Sequence, residues 1–402
     1  MSTASGISYE DIQTEIVPKF SVPSSVLRDF TIKEIMLGES LLTPGLQTII
    51  KAHSYIHNNP VKNFDLLKGT DVQIDLERKI LAKFGIQSRM SINQTIYRLD
   101  NRKLINNNTE ELTIRCCDST LLNDAVSLVS KSWKCTSPSS IVGYVLRSCV
   151  KARNLDIQSS GPPRDYIAEN IHPFQVVSQQ SNYALDGEDP SFLHYMTYEN
   201  YGTHHFRSLK SLTRQRPIMS YRYNDTGETY PLPNSIMTYS FPCDFDLLSD
   251  LLNGINKDGQ EISSATLFNP YMKTFSLLGN QSLGCGIGAG VMKAAITNHN
   301  SAKLQDSCPD YAKVYLLKRQ ARMGLLEKDK IALQLTVPFN PSLHVGKVID
   351  IKLYNKDANP TPTLNYGSGK YLILHMFHHI TEGGFSVTSM SCVSTSVGRG
   401  VV

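Results

Sequence analysis

A glycine-rich run has residue types that could bind a phosphate group. The segment 284–290 has glycine at every second position, and backbone amides without a Cβ can approach a phosphate closely. A dinucleotide fingerprint also needs a βαβ unit and an acid about 20 residues further on. A Walker loop needs Gly-Lys-Ser/Thr, whereas Met292 precedes Lys293. We therefore predict a flexible or closely packed loop, with no cofactor.

Two histidine groups have the residue type of a metal site. His204 and His205 are adjacent, and His375, His378 and His379 lie in one apolar segment. On a strand, alternation sends His378 to the face opposite the other two, which lie about 13 Å apart at roughly 3.3 Å per residue. These three side chains cannot share an ion within one chain. We predict structural histidines and no metal, with coordination between subunits as the one alternative.

Cell-wall hydrolysis would need a glutamate in an apolar setting with a second carboxylate, or a cysteine with a histidine. Cys308 precedes His375, and Glu199 precedes His204. Neither pair lies in a recognised catalytic context, and any chain of this length supplies such pairs. We predict no catalytic residue and no enzymatic activity, and a cell-wall hydrolase is the alternative.

Four aromatic residues, Tyr195, Tyr198, Tyr201 and Phe206, occur close together in the sequence. Aromatic side chains can stack on a sugar ring, but they are also common in strands, where they pack against cross-strand neighbours. We predict hairpin packing for this group.

Length and composition indicate a folded chain of several domains. The 402 residues are 41% hydrophobic and 19% charged, and no apolar run approaches the roughly 20 residues that span a bilayer. The acidic, polar start lacks the features of a secretory signal. The eight cysteines form no CxxC pair, which predicts free thiols and folding in a cytoplasm.

The formal net charge of +4 is spread along the chain. The densest cluster of basic residues is 207–222, and the sequence shows no concentrated basic stripe. We therefore expect neither sequence-specific nucleic-acid binding nor stable membrane insertion.

Hydrophobic periodicity divides the chain into four parts. Residues 1–22 are a possible N-terminal arm that orders only against a neighbour. Residues 23–117 alternate in the manner of half-buried strands, as at Val72, Ile74 and Leu76. This pattern predicts an antiparallel barrel or sandwich, which we assign as a first β-barrel. Helical periods behind a Ser119 or Thr120 cap characterise the α+β middle domain.

The middle domain covers 118–230, and its predicted helices run over 121–129, 141–150 and 173–185, before a hairpin over 192–206. Strand alternation returns in 231–402, where we predict a second β-barrel with an insertion at 279–328 that holds a helix from about 310 to 325. A Gly383-Gly384 turn precedes the last strand. The fold class is thus α+β, mainly β: two antiparallel barrels flanking an α+β domain.

Two sets of residues carry a resemblance to known proteins. The first set is His172–Val177, Asn182–Ala184, Pro190–Leu193 and His205–Leu209. The second set is Gly346–Val348, Ser368–Ile373, His378–Ile380 and Phe385–Met390. They resemble one family, the central baseplate hub proteins of contractile-tailed phages, which are similar to the body of type VI secretion spike proteins. The first set looks like that family's helix leading into a hairpin, and the second like the last strands of its tube-type barrel.

The resemblance implies a homotrimer in which each chain contributes two similar barrels to a pseudo-six-fold ring. Such a ring would join a hexameric tail tube to a trimeric central spike, because duplicating a barrel resolves the mismatch between three-fold and six-fold symmetry. Further partners would be other baseplate proteins and a tape-measure protein. The expected location is the virion tail baseplate, assembled in the bacterial cytoplasm, and the alternative within this class is the spike body of a secretion or injection machine.

Overall fold

The structure is a computed structural model that describes residues 15–20, 30–55, 69, 71–78, 81–82, 85–187, 189–223, 233–242, 264–269, 274–279, 292–294, 319, 323, 326, 333–353, 367–381 and 386–394. The predicted helix at 310–325, the glycine run 284–290 and the Gly383-Gly384 turn lie largely or wholly outside these residues. Within them, no helix has both the length and the apolar composition needed to cross a bilayer.

The first β region has six strands among its described residues, and alternation of apolar residues sets the buried face. Val72, Ile74 and Leu76 are buried, with half-buried polar residues between them, as predicted. The strands are β1 (Glu15–Phe20), β2 (Phe30–Ser40), β3 (Gln47–Tyr55), β4 (Asp71–Glu77), β5 (Arg89–Asn106) and β6 (Thr109–Cys117).

The middle region mixes helices with short strands. Its elements are α1 (Ser119–Val126), β7 (Val129–Thr136), α2 (Pro138–Ser148), β8 (Asn154–Ile157), β9 (Arg164–Ile171), α3 (Pro173–Ser181), β10 (Phe192–Thr197), a 3-10 turn (Glu199–Tyr201), β11 (Thr203–Ser208) and α4 (Leu209–Thr213). Strands β10 and β11 form the predicted hairpin, and β8 pairs with β11 in parallel.

The last region is again mostly strand. Its elements are β12 (Ser220–Tyr223), β13 (Ser235–Ile236), β14 (Thr238–Ser240), β15 (Ser264–Asn269), β16 (Thr274–Gly279), β17 (Met292–Ala294), β18 (Leu333–Pro338), β19 (Val348–Lys352), β20 (Gly369–Thr381) and β21 (Val387–Val393). The predominance of strand confirms the mainly β class.

One 13-stranded sheet joins the first and last regions. Its main path is β1-β4-β5-β6-β3-β2-β20-β19-β12-β13, with β21, β18 and β14 attached beside β20. The connection is the antiparallel pairing of β2 with β20. The two β regions therefore share a continuous sheet, while closure of each into a barrel and the four domain boundaries stay predictions.

Three expectations about local structure change. The backbone of β1, which the sequence assigns to the arm, pairs with β4 of the same chain. Helix α1 is capped by Asp118, whose carboxylate accepts from the Thr120 N–H at 2.8 Å, so the predicted Ser119 or Thr120 cap is wrong. The helix also ends at Val126 and not at 129, because Val129 already pairs with Ile171 in the β7–β9 ribbon.

The other two predicted helices of the middle region, now α2 and α3, fit their predictions more closely. Helix α2 begins at Pro138 behind a Ser137 cap, and α3 begins at Pro173 but ends at Ser181, a turn earlier than expected. Cys116, Cys117, Cys149 and Cys392 are free thiols, and the absence of disulfides among all eight cysteines stays a prediction.

We expect a charged residue at position 374 to destabilise the fold strongly. Leu374 is fully buried on β20, so Leu374→Asp places an unpaired carboxylate in the core and should lower the free energy of unfolding by several kcal/mol, about 4 or more. Phe377→Asp on the same strand is the control, because Phe377 is 58% exposed. Urea unfolding measures both, and equal losses would contradict the assignment of the buried face.

Candidate functional site

Strand β10 lies where the three hydrophobic cores of the described structure meet. All six of its residues are buried, so neither face of the strand is exposed to solvent. Tyr195 packs into the core of the last region, Met196 into that of the first, and Phe192 into that of the middle region. The hairpin therefore forms a common wall between the regions.

An arginine from the last part of the chain fixes the start of this strand. Nη1 of Arg319 donates to the carbonyls of Pro190 at 2.8 Å and Phe192 at 2.7 Å, and Nε donates to the Asn182 side chain at 3.0 Å. Burial lowers the pKa of Arg319 to about 10, so the guanidinium stays charged at neutral pH. It satisfies carbonyls that would otherwise be buried without partners.

The end of β10 meets a buried carboxylate from β2. Oε1 of Glu39 accepts from the Tyr198 N–H at 2.7 Å and from Nδ1 of His344 at 2.9 Å, and Oε2 accepts from the Val345 N–H at 2.9 Å. The Glu39 side chain has no exposed surface. One carboxylate thus binds the first β region, the hairpin and the last β region together.

The electrostatics of this site favour the ionised carboxylate. Burial alone would raise the pKa of Glu39, but His344 and the two backbone N–H donors outweigh it and hold the pKa below the ordinary glutamate value. A buried charge with every nearby donor directed at it is stable where an unpaired one would not be.

Two further contacts join the first β region to the last β region and to the hairpin. Nη1 of Arg78, which follows β4, donates to the carbonyl of Phe339 at 2.6 Å, and the Tyr198 hydroxyl donates to the Gln47 carbonyl at 2.9 Å. Burial lowers the pKa of Arg78 to about 10, which leaves it protonated. We call Glu39, Arg78, Tyr198, Phe339 and His344 the joint.

Glycine is required at one position beside the joint. Gly346 has φ +76°, and a Cβ there would lie 2.7 Å from the Tyr195 hydroxyl oxygen. Both the left-handed backbone and the close approach exclude other residues. Local sterics therefore explain why a glycine begins the Gly346–Val348 segment.

A chain of buried polar groups runs from the hairpin to α1. His194 Nε2 lies 3.1 Å from His204 Nδ1, His204 Nε2 lies 3.0 Å from Thr120 Oγ1, and Thr120 donates to Asp118 at 2.5 Å. Since the Thr120 proton goes to the carboxylate, Thr120 accepts from His204, which in turn accepts from His194. Both imidazoles are neutral donors at Nε2, in accord with burial lowering the pKa of His204 to about 3.

The predicted separation of the C-terminal histidines is confirmed. His378 is fully buried and its Nδ1 lies 2.8 Å from the Thr388 hydroxyl, whereas Nε2 of His379 lies 2.6 Å from Glu34 on the opposite face. Among the described residues, no group of three or more potential ligands could hold a metal. The absence of a bound metal stays a prediction.

Of the two pairs considered for cell-wall hydrolysis, Glu199 and His204 have separate partners among the described residues. Glu199 pairs with Lys347 at 3.5 Å, while His204 belongs to the buried chain above. Cys308 lies outside the described residues. Of the aromatic group, Tyr195, Tyr198 and Phe206 are buried in the hairpin as predicted, and Tyr201 is exposed.

Glu39 is not among the residues singled out from the sequence, although a local signal marks it. In β2, Ile35 and Leu37 point inward, and Glu39 continues the same alternation. An acid at an inward position of a regular strand must be paired or be unfavourable. That pattern identifies a buried carboxylate, but not its partners 159 and 305 residues away.

Solved structures share the fold of this chain at low sequence identity. A tail protein from Neisseria meningitidis MC58 aligns over 96% of this chain and 98% of its own, with a TM-score of 0.57 and 10% identity. The 43 kDa tail protein of prophage MuSo2 from Shewanella oneidensis aligns over 93% and 99%, with a TM-score of 0.54 and 8% identity.

The chain is thus similar in fold to these two tail proteins. The E. coli c3393 protein, a type VI secretion component described as structurally similar to the phage T4 tail proteins gp27 and gp5, aligns over 97% of this chain and 79% of its own, with a TM-score of 0.50 and 11% identity. No protein-family model and no curated protein sequence matches. The resemblance drawn from the two residue sets thus agrees with the fold.

We expect the joint to depend on the Glu39 charge. Glu39→Gln keeps the shape but weakens the bonds to two N–H donors and the imidazole, and should lower the free energy of unfolding by about 3 kcal/mol. Glu34→Gln on the outer face of β2 is the matched control and should cost about 1 kcal/mol or less, because its partners Lys51 and His379 are part-exposed. Equal effects in chemical denaturation would refute the role of the joint.

The buried histidines predict a loss of stability in mild acid. Burial lowers the pKa of His378 to about 4 from 6.5, so the unfolded chain binds protons that the folded chain rejects as pH falls from about 6.5 to 4. Each such histidine should contribute about 1.4 kcal/mol per pH unit to the decline. His378→Gln should make the slope of unfolding free energy against pH shallower by about that amount, and an unchanged slope would contradict a neutral buried His378.

Proposed function

We propose that this chain is a non-enzymatic structural component of a contractile tail, the trimeric baseplate hub that joins the hexameric tail tube to the trimeric spike. The observation that carries the proposal is the pairing of β2 with β20, because it makes two β regions of one chain into a single body. The likeness to tail proteins over almost the whole chain supports the same assignment.

The proposal has a physical rationale in symmetry. Three chains with two comparable β regions each offer six similar docking surfaces, which a three-fold spike needs in order to meet a six-fold tube. The joint supports this role, since an adaptor under load requires its two halves to keep a fixed relative position. Its partners would be the tube protein, the spike, other baseplate proteins and a tape-measure protein, and DNA could pass through the central channel of the virion tail.

The spike body of a type VI secretion machine is the second candidate. The observation in its favour is the likeness to the E. coli secretion component, whose length the chain covers to 79%. In both cases the chain is a scaffold, and the two assignments differ in the tube and effector proteins that it contacts.

We expect a homotrimer of this 44.9 kDa chain. Native mass spectrometry with the cognate spike protein present should give a complex containing three copies, because assembly of a ring depends on mass action and on its partner. Negative-stain images should then show a three-fold ring with a central channel. A chain that stays monomeric at micromolar concentration with the spike present would overturn the hub assignment.

Enzymatic activity is tested separately. A zymogram on cell-wall material should show no clearing by the purified chain at concentrations where lysozyme clears the gel. Clearing that persists after further purification would establish the hydrolase alternative, whatever the oligomeric state.

A further inference from the structure

Helix α1 is held on the rest of the chain mainly by polar contacts. Of its eight residues, Thr120 alone is buried, whereas α2 buries seven of its eleven. Val126 at the end of α1 is 83% exposed. Because a helix in a protein is stabilised chiefly by the packing of an apolar face, α1 depends on a few hydrogen bonds to stay in place.

The start of α1 is bonded to the β10–β11 hairpin through one imidazole. Nε2 of His204 donates to Thr120 Oγ1 at 3.0 Å, and Nδ1 of His204 accepts from His194 Nε2 at 3.1 Å. Both ring nitrogens of His204 are therefore in use. A proton added at Nδ1 would direct two N–H groups at each other, so the imidazolium loses its bond to His194.

The start of α1 also separates that imidazole from water. Asp118, Ser119, Thr120 and His204 line one polar cavity of about 190 Å³, and His204 is only 1% exposed. An imidazolium in such a place is unfavourable until water reaches it. The hairpin cannot move to admit water without breaking three apolar cores, so the weakly packed α1 is the element that gives way.

The surroundings of His204 provide no net negative charge to hold the imidazolium in place. The cavity has two carboxylates and two cations, and the nearest carboxylate, Asp118, already accepts from the Thr120 N–H and hydroxyl and is attracted by Arg153. Helix α3 presents the uncharged ring of Phe174. The charged and titratable groups around the ring are Asp71 of β4, Asp118 before α1, Lys151 and Arg153 before β8, Asp156 of β8, His194 of β10 and His205 of β11.

The other end of α1 is held by contacts that tolerate acid. His172 Nδ1 donates to the Asp124 carbonyl at 3.0 Å, and the Asp124 side chain accepts from the Phe174 N–H at 2.7 Å. A protonated His172 still donates, and a cation is favourable at a helix C-terminus. Acid therefore acts on the start of the helix.

We infer that α1 is an acid-released latch. At neutral pH His204 holds the start of α1 against the hairpin, and when the imidazole takes up a proton from solvent the start of α1 leaves the hairpin while α2 and the sheet stay folded. The connection from β6 to β7, which runs through α1, then loosens. The latch is a property of the single chain, so it rests on neither the hub assignment nor trimer formation.

The pH range of release follows from the same ring. Burial lowers the pKa of His204 to about 3, whereas a solvated histidine titrates near 6.5. The closed latch therefore loses stability as pH falls from about 6.5 towards 3. Since the open form alone binds the proton, its population should rise about twentyfold between pH 7 and pH 5. Burial raises the pKa of Asp118, which favours the closed form in acid and so opposes release.

Hydrogen exchange of the full chain, measured by mass spectrometry at pH 7 and pH 5 and corrected for intrinsic rates, tests the latch. Amides of residues 120–126 should lose protection about twentyfold at pH 5, on a time scale at which residues 141–148 of α2 stay protected at both pH values. His204→Gln keeps a side-chain donor without a basic nitrogen and should abolish the pH response. His378→Gln, a buried histidine away from α1, and Asp118→Asn should retain it.

Three results would overturn the inference. They are equal protection of α1 at the two pH values, loss of protection by α1 and α2 together, and a pH response that persists in His204→Gln. Thr120→Val is the second variant, should circular dichroism show that His204→Gln does not fold. It removes the hydroxyl that joins α1 to the ring and should leave α1 poorly protected at both pH values, and full protection at pH 7 would also contradict the latch.

Discussion

The architecture depends on one ionised carboxylate that has no access to water. Glu39 would be strongly unfavourable in the core by itself, and it is stable because the Tyr198 and Val345 N–H groups and the His344 ring all donate to it. Those donors come from the hairpin and from the last β region. The carboxylate is therefore satisfied only when three distant parts of the chain are assembled, which makes local folding and global assembly one cooperative event.

The hairpin has a matching role in apolar packing. Because β10 is buried on both faces and contributes to all three cores, no region can bury its apolar surface fully without it. Polar groups that must enter this interior are paired within it, as in the chain from His194 to Asp118. The middle region thus lies between the two β regions in sequence and also packs against both of them.

Local chemistry explains which features the sequence predicts. Strand β4 and helix α2 follow from a two-residue alternation and from a Ser-Pro start, both of which act over a few residues. Asp118, Ser119 and Thr120 can all cap a helix, and only the packed structure selects Asp118. The pairing of β2 with β20 depends on residues far apart in sequence and leaves no periodic signal.

The joint also explains why the sheet between the two β regions has a single register. Residues 34–40 pair with 375–381, and main-chain hydrogen bonds alone would tolerate a slip of one position. Such a slip would move Glu39 to the outer face, away from its donors. It would also turn Gly38 inward. In the observed register Gly38 faces outward against Phe377, whose ring lies 3.1 Å from the position that a Cβ would occupy. An inward carboxylate and an outward glycine, adjacent in sequence, thus fix from both faces the connection on which a rigid two-region body depends.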